Sequence, residues 1–361
     1  MAQKTLKIAQ IGSIWESIPP KKYGGTERVV HCLTEELVKM GHKVTLFATA
    51  DSKTSGKLDP SVPRGLYQAG VSWTNPLFSL FHISRVFERA SKFDIIHMHI
   101  NTRQDYVSLP LAGFVKAPTI FTIHFVLPEK NEESRKDRYL LLSKYRDRNF
   151  VTISNAQRTL KFLNYTGTVY NGLDFKETTL SEGNGDYLLW IGRICDDKGT
   201  KEAVEVAKMS GKKLLIAGKV DHDNKDYEDY FKKEIEPLID GKQVVFLGEV
   251  NDGQKDKLFR KALALLNPIK WNEPFGLVTI EAMAAGVPVI AFNQGPVKEQ
   301  IKSGKTGFIV KNVKEMAEAV KKVSGLDRAL IREKTLEKFS SKAMALNYEK
   351  IYYDLINKNR K

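Results

Sequence analysis

Short apolar runs alternate with amphipathic stretches along most of the chain, a pattern that predicts strands joined by crossover helices in a parallel sheet. Residues 6–11 form an apolar run, and a loop rich in Pro and Gly follows over 13–25. Thr26 is the expected N-cap of a helix reaching Met40. Val29, Val30, Leu33, Leu37 and Met40 recur there at helical spacing, and Gly41 ends the pattern. Residues 43–48 make the next strand and complete a βαβ unit. Residues 51–75 carry several Gly, Pro and Ser residues with weak periodicity and read as a long loop. Short strands are expected at 93–98, 119–123 and 150–153, after which Ser154-Asn155-Ala156-Gln157 has the form of a capping box opening a helix.

Turn chemistry over 169–174 closes this first series, and the polar, Gly-containing stretch 181–186 is the linker candidate. A second series resets the rhythm, with strands expected at 187–191, 213–217, 243–247, 262–267, 287–292 and 307–310. Residues 340–361 read as one helix whose Met344, Tyr348, Ile351, Tyr352 and Leu355 form an apolar stripe. The expected fold class is therefore α/β, with two Rossmann-like doubly wound domains in tandem, 1–175 and 184–339. Ligands of such sheets sit at the carboxyl ends of strands, near helix N-termini. Two of these edges facing each other across a cleft would suit a two-substrate transfer.

The 361 residues suit two domains of roughly 100–200 residues each, and a chain that is 42% hydrophobic and 28% charged is globular, not disordered. Cys32 and Cys195 lie far apart and read as reduced thiols, neither a disulfide framework nor a metal site. Residues 4–12 lack the apolar core and cleavage site of an export signal. No apolar stretch approaches the ~20 residues of a membrane span. The expected location is the cytoplasm. A formal charge of +14 fits a nucleic acid, an anionic membrane surface or a phosphorylated small substrate. The Lys and Arg residues are dispersed and no zinc-finger, RNP or basic-region motif is present, so no nucleic-acid partner is expected. Peripheral contact with an anionic membrane stays open, at about 1 kcal/mol per basic residue near such a surface. The basic end Lys358-Asn359-Arg360-Lys361 could take part or simply be solvated.

The densest chemistry lies in residues 271–288, Trp-Asn-Glu-Pro-Phe-Gly-Leu-Val-Thr-Ile-Glu-Ala-Met-Ala-Ala-Gly-Val-Pro. Pro274 and Gly276 mark a loop, and Leu277 to Ala285 read as a helix stopped by Gly286. Glu273 precedes that helix and Glu281 lies inside it. A carboxylate accepts two hydrogen bonds from a vicinal diol, and the backbone N–H groups of Phe275, Gly276 and Leu277 can meet phosphate. Taken singly, either glutamate reads as a solvated surface residue. Arg193 and Lys198 follow a strand and precede a helix starting near Thr200, and taken alone they too read as surface charges. Tyr23-Gly24-Gly25-Thr26-Glu27 sits in the first strand-to-helix loop, where Gly24 and Gly25 let the backbone approach a phosphate or an acceptor. That run is not a G-x-G-x-x-G fingerprint, which argues against a nicotinamide or flavin enzyme. His97, His99 and His124 fall at strand ends, but no third ligand stands in a metal-binding spacing, so no metal is expected. The 221–224 cluster reads as a solvated turn.

Together these residues resemble a family. Glu273 and Glu281 look like the E-x7-E element of the GT-B glycosyltransferases of family 4, and Gly192-Arg193 with Lys198-Gly199 like its G-R-x4-K-G turn. Asn171-Gly172-Leu173-Asp174 resembles its N-G-x-D turn, and Gly295-Pro296-Val297-Lys298-Glu299 and Gly304-Lys305-Thr306-Gly307 resemble its closing elements in order and spacing. The resemblance implies retaining transfer of a hexose from a nucleoside diphosphate sugar to a hydroxyl acceptor (sugar, lipid-linked or small molecule), with neither metal nor organic cofactor. UDP-sugars are favoured as donor and GDP-mannose comes next. It further implies that Glu281 holds the donor ribose, that Glu273 and His124 contact the transferred sugar, and that Arg193 and Lys198 neutralise the diphosphate. The last helix is expected to pack back on the N-terminal domain. Acceptor recognition is expected in residues 13–25, 51–75 and 101–110. A sugar-nucleotide epimerase or phosphorylase on the same fold, or a non-catalytic sugar-nucleotide-binding protein, are the alternatives.

Overall fold

Ile95–Ile100 and Thr119–Ile123 are buried at every position, as strands covered on both faces must be. A computed structural model describes residues 4–21, 24–72, 74–183 and 185–359; Tyr23, Asn184, Arg360 and Lys361 lie outside the described residues. The first series runs β1 (Lys7–Ile11), α1 (Gly25–Lys39), β2 (Lys43–Thr49), β3 (Lys57–Val62), α2 (Leu77–Phe87), β4 (Ile95–Ile100), α3 (Ser108–Leu111), β5 (Thr119–Ile123), α4 (Lys136–Lys144), β6 (Asn149–Thr152) and β7 (Tyr165–Thr168). All its strand pairs are parallel, in the order β3-β2-β1-β4-β5-β6-β7. The second series runs β8 (Tyr187–Arg193), α5 (Thr200–Ser210), β9 (Lys213–Lys219), α6 (Lys225–Tyr230), β10 (Val244–Gly248), α7 (Asp252–Arg260), β11 (Ala262–Asn267), α8 (Leu277–Ala284), β12 (Val289–Phe292), α9 (Val297–Gln300), β13 (Gly307–Val310), α10 (Val313–Val320) and α11 (Arg328–Phe339). Its parallel sheet has the order β10-β9-β8-β11-β12-β13.

Each order reverses once, between β1 and β4 in the first sheet and between β8 and β11 in the second. Such switch points leave a crevice beyond the carboxyl ends of the strands, where open α/β sheets take their ligands. The chain divides into two units, one made of the residues up to Asp174 with those from Phe339 onward, the other of Phe175–Lys338. The last helix, α12 (Ser341–Asn359), belongs to the first unit and packs along α1. Tyr348 and Tyr352 on its buried face reach the sheet. The Tyr352 hydroxyl donates to His97 Nδ1 (2.7 Å) and accepts from Gln10 Nε2 (3.2 Å), while Tyr348 and Thr122 hydroxyls lie 3.0 Å apart.

Three local expectations need correcting. Residues 57–62 are an edge strand beside β2, although the stretch had read as loop. Thr26 does not cap α1; Gly24 holds that position, and the Thr26 hydroxyl donates instead to Asn101 Oδ1 (2.8 Å). No helix follows Ser154. Gln157 N–H donates to Ser154 Oγ (3.3 Å), but the Gln157 side chain turns back to the Ile153 N–H (2.9 Å) and to the carbonyls of Ile123 and Phe125 (3.0 and 2.7 Å). Those bonds tie the turn to the end of β5, and the chain does not propagate into a helix.

The α12 contacts generate a test. Tyr352→Phe leaves His97 Nδ1 and Gln10 Nε2 buried without their partner, which costs about 1–3 kcal/mol. Urea unfolding should show a lower midpoint with an unchanged m-value, and a wild-type midpoint would contradict the bonding described.

Candidate functional site

At the second switch point, β8 ends on Arg193 and β11 on Asn267, and the loops that follow are stitched together. Lys270 N–H donates to the Asp197 carbonyl (2.9 Å), and Lys270 Nζ lies 2.7 Å from Asp196 and 2.9 Å from Glu202. Gly199 allows the closeness: its φ is 71°, and a Cβ there would sit 2.1 Å from the Pro268 carbonyl oxygen. Only glycine tolerates both conditions. Lys198 is thereby set against the loop before α8, and its Nζ lies 2.7 Å from Glu273 Oε1 with each side chain about one-fifth exposed (19% and 20%). The same ammonium lies 5.5 Å from the centroid of the Trp271 ring, within cation–π range.

Glu273 is held from behind as well. Gly295, at φ 54°, brings its Cα so near that a Cβ would meet the Glu273 carbonyl oxygen at 2.5 Å. Glu273 Oε1 faces Lys198, while its Oε2 is buried with no protein partner. A buried carboxylate oxygen without a donor is costly, and a hydroxyl offered to it would remove that cost. Gly276 lies next in the left-handed region as N-cap of α8, and Leu277 opens the helix. The first amides of a helix have no acceptor within it, and its dipole favours an anion there. The Phe275 side chain is in the core at 3% exposure, and its carbonyl accepts from Gln300 Nε2 (2.8 Å). Glu281, inside α8 and buried, pairs with Lys255 Nζ of α7 at 2.8 Å. Arg193 places its guanidinium 5.8 Å from the ring centroid of Tyr227, a residue of α6, whose N-cap is Asn224. Arg193 and Lys198 are both near enough to Cys195 for their charges to favour its thiolate, although burial prevails and raises that thiol's pKa.

The second unit thus brings Lys198 and Glu273 into direct contact, sets Arg193 and Lys198 both within electrostatic reach of Cys195, and pairs Glu281 separately with Lys255. Sequence reading missed Lys255, Lys270 and the ring of Trp271, because their partners are remote in the chain. Among the described residues no group of three His, Cys, Asp or Glu is placed to hold a metal ion, and no helix is long and apolar enough to cross a membrane. Both cysteines are free thiols.

In the first unit, Gly24 and Gly25 open α1, and Glu27 beside them is buried, its carboxyl pushed up by desolvation. His124 directly follows β5, and its place follows from a chain of hydrogen bonds. His99 Nε2 donates to Gln10 Oε1 (2.8 Å), so the Nδ1 of neutral His99 accepts from His124 Nε2–H (2.9 Å). His124 is then the Nε2–H tautomer, with Nδ1 as an acceptor. His97 fits the same logic, accepting at Nδ1 from Tyr352 and donating from Nε2 to Thr122 Oγ1 (2.7 Å). Burial keeps all three rings neutral, with His97 and His99 well below the ordinary imidazole range and His124 lowered to about 3.

A family model described as Glycosyl transferases group 1 matches residues 174–344, and one described as Glycosyltransferase Family 4 matches residues 23–174. An uncharacterized glycosyltransferase of Methanocaldococcus jannaschii is 26% identical, with 98% of this chain and 96% of the relative covered. AviGT4, a glycosyltransferase involved in avilamycin A biosynthesis, has a solved structure that matches with a TM-score of 0.70 at 23% identity, covering 98% of each chain. Anabaena HepE, solved in complex with UDP-glucose, matches with a TM-score of 0.73 at 17% identity over 97% of this chain and 100% of its own. The chain belongs to the GT-B glycosyltransferases of the family 4 type and is a glycosyltransferase.

The buried imidazoles set a pH dependence of stability. His82 (lowered to about 4), His97, His99 and His124 (to about 3) all titrate below 6.5 in the folded chain, so the unfolded chain binds more protons. Their contribution is whole above pH 6.5 and is lost progressively as pH falls toward 4 and 3. Asp105, raised to about 6, and Glu27, also raised, oppose this over part of the same range, but two carboxyls face four imidazoles. Tm should fall by at least about 5 °C between pH 7.5 and pH 5, at ~1.4 kcal/mol per pH unit and ~2–4 °C per kcal/mol. A flat or rising Tm on acidification would contradict the buried neutral rings.

Proposed function

We propose that this family 4 glycosyltransferase moves a hexose from a nucleoside diphosphate sugar to a hydroxyl acceptor with retention of configuration, binding the donor in its second unit. The observation that carries this reading is the Lys198–Glu273 pair at the switch point, with Arg193 on the strand before it and the N-terminus of α8 after it. That set matches both halves of the donor. The diphosphate is an anion for Lys198, Arg193 and the amides of Phe275, Gly276 and Leu277. The sugar hydroxyls are donors for Glu273 Oε2, and the ribose hydroxyls for Glu281, whose carboxylate Lys255 orients. UDP-sugars are the favoured donor class, a choice supported by the Anabaena structure with UDP-glucose, and GDP-mannose is second.

In the transfer, the bond from the anomeric carbon to the phosphate oxygen breaks and its electron pair goes to the departing diphosphate. Negative charge grows there, and Lys198 and Arg193 stabilise it from fixed positions, so the chemistry needs no metal ion. The acceptor oxygen bonds to the anomeric carbon on the same face while its proton passes to a leaving phosphate oxygen. Glu273 binds a sugar hydroxyl and is not assigned as nucleophile. His124 Nδ1 accepts a hydroxyl hydrogen of the sugar in transit, and Gly24 and Gly25 give the acceptor or a phosphate access to the backbone at the start of α1. The protein acts in the cytoplasm, and its charge of +14 supports peripheral contact with anionic lipid.

Kinetics with UDP-glucose test the assignment. Lys198→Ala and Arg193→Ala should each lower kcat by about 10²–10³, or ~3–4 kcal/mol in the barrier. Wild-type rates in both variants at saturating and limiting donor would remove those residues from the mechanism. Chelation should leave the wild-type rate unchanged; a loss restored by Mg²⁺ or Mn²⁺ would overturn the metal-free step. A thermal-shift screen of nucleotide sugars identifies the donor, since ligand at about 100 times its Kd adds about 2.7 kcal/mol.

A further inference from the structure

The first unit has its own switch point, and a cavity of ≈ 250 Å³ lies there. The loop after β1 supplies Trp15, the loop after β4 supplies Asn101, Thr102 and Arg103, and α4 supplies Arg138. The volume is below the ~300–1,000 Å³ of pockets for drug-sized ligands, which suits a single sugar or polyol. Trp15 and Tyr67 meet at its wall as a tilted pair with centroids 5.2 Å apart.

Two polar atoms in the wall of this cavity, on Trp15 and Arg138, have no partner within the protein. Trp15 is 2% exposed, and its Nε1 is buried without a hydrogen-bond partner; Arg138 Nε is in the same state. Arg138 forms no ion pair among the described residues. The neighbouring carboxylates are committed elsewhere: Asp137 accepts from Arg103 Nε (2.6 Å), and Asp105 accepts from the amides of Asn101 and Thr102 (2.9 and 2.6 Å). The Arg138 guanidinium lies 5.8 Å from the ring centroid of Phe125, which restricts its position without neutralising it. An unpaired arginine with a buried Nε needs an anion that can take two parallel N–H bonds, and phosphate and carboxylate both have that geometry. Asn101 is oriented beside it, accepting from the Thr26 hydroxyl at 2.8 Å.

We propose that this cavity is the acceptor subsite, and that it selects an acceptor bearing a phosphate or carboxylate on a sugar- or polyol-sized body, with Arg138 holding the anion. The inference rests on the glycosyltransferase reading given above. Arg138 is a specificity-determining residue, and the donor residues of the second unit are not involved in its choice.

Calorimetric titration of the full chain with glucose 6-phosphate, glucuronate and glucose tests it. Wild type should bind at least one anionic sugar ten times or more tightly than glucose, and the two anionic probes separate phosphate from carboxylate preference. Arg138→Met should lose that preference and Arg138→Lys should keep part of it, while both bind UDP-glucose as wild type does. Equal affinity of wild type for all three sugars would overturn the proposal even if no variant folds. So would an Arg138→Met protein that keeps the anion preference. Failure of the donor reading shows separately, as absent UDP-glucose binding in wild type that still discriminates glucose 6-phosphate or glucuronate from glucose.

Discussion

The ion pair between Lys198 and Glu273 joins the two loops on which the second unit's site is built. Its partners are 75 residues apart in the chain and 2.7 Å apart in space. They meet because β8 and β11 are neighbours at the point where the strand order reverses, so that successive loops diverge to leave a crevice. Two backbone approaches then fix the distance, Gly199 on Pro268 and Gly295 on Glu273. A part-buried pair of this kind gains little net stability, since desolvation offsets much of the attraction. Its consequence is positional. The ammonium is held between Glu273 and the Trp271 ring, and the second carboxylate oxygen is left buried without a protein donor.

The first unit solves a different problem with neutral groups. Burial keeps His97, His99 and His124 uncharged, and a neutral imidazole must choose which nitrogen carries its hydrogen. Gln10 makes that choice for His99, and His99 makes it for His124. Tyr352 bonds to both Gln10 and His97, so the last helix of the chain reaches the His124 ring just after β5 through two intermediates, Gln10 and His99. Such networks hold a unique arrangement when every member is satisfied.

What could be read from sequence follows the same physics. Buried parallel strands such as residues 119–123 and 262–267 were legible to the residue, because continuous apolar runs have few other uses. The edge strand at 57–62 was not, since Pro60 and the largely exposed or half-buried residues around it look like loop. The turn after Ser154 misled because Gln157 found acceptors on β5, which no local pattern reveals. Within the candidate site, Glu273, Glu281, Arg193 and Lys198 were marked by motif spacing. Lys255 was not, because its pairing with Glu281 depends on α7 lying beside α8. The cavity at Arg138 was foreshadowed only as loops, and its unpaired guanidinium became visible once Asp105 and Asp137 were seen to be engaged elsewhere.

The most direct test of the donor site is a double-mutant cycle on kcat/KM with Lys198→Met, Glu273→Gln and the pair combined. Residues that grip one donor and touch each other should couple by about 0.5–3 kcal/mol. Strictly additive losses, or single variants without loss, would mean that the ion pair does not act on the donor.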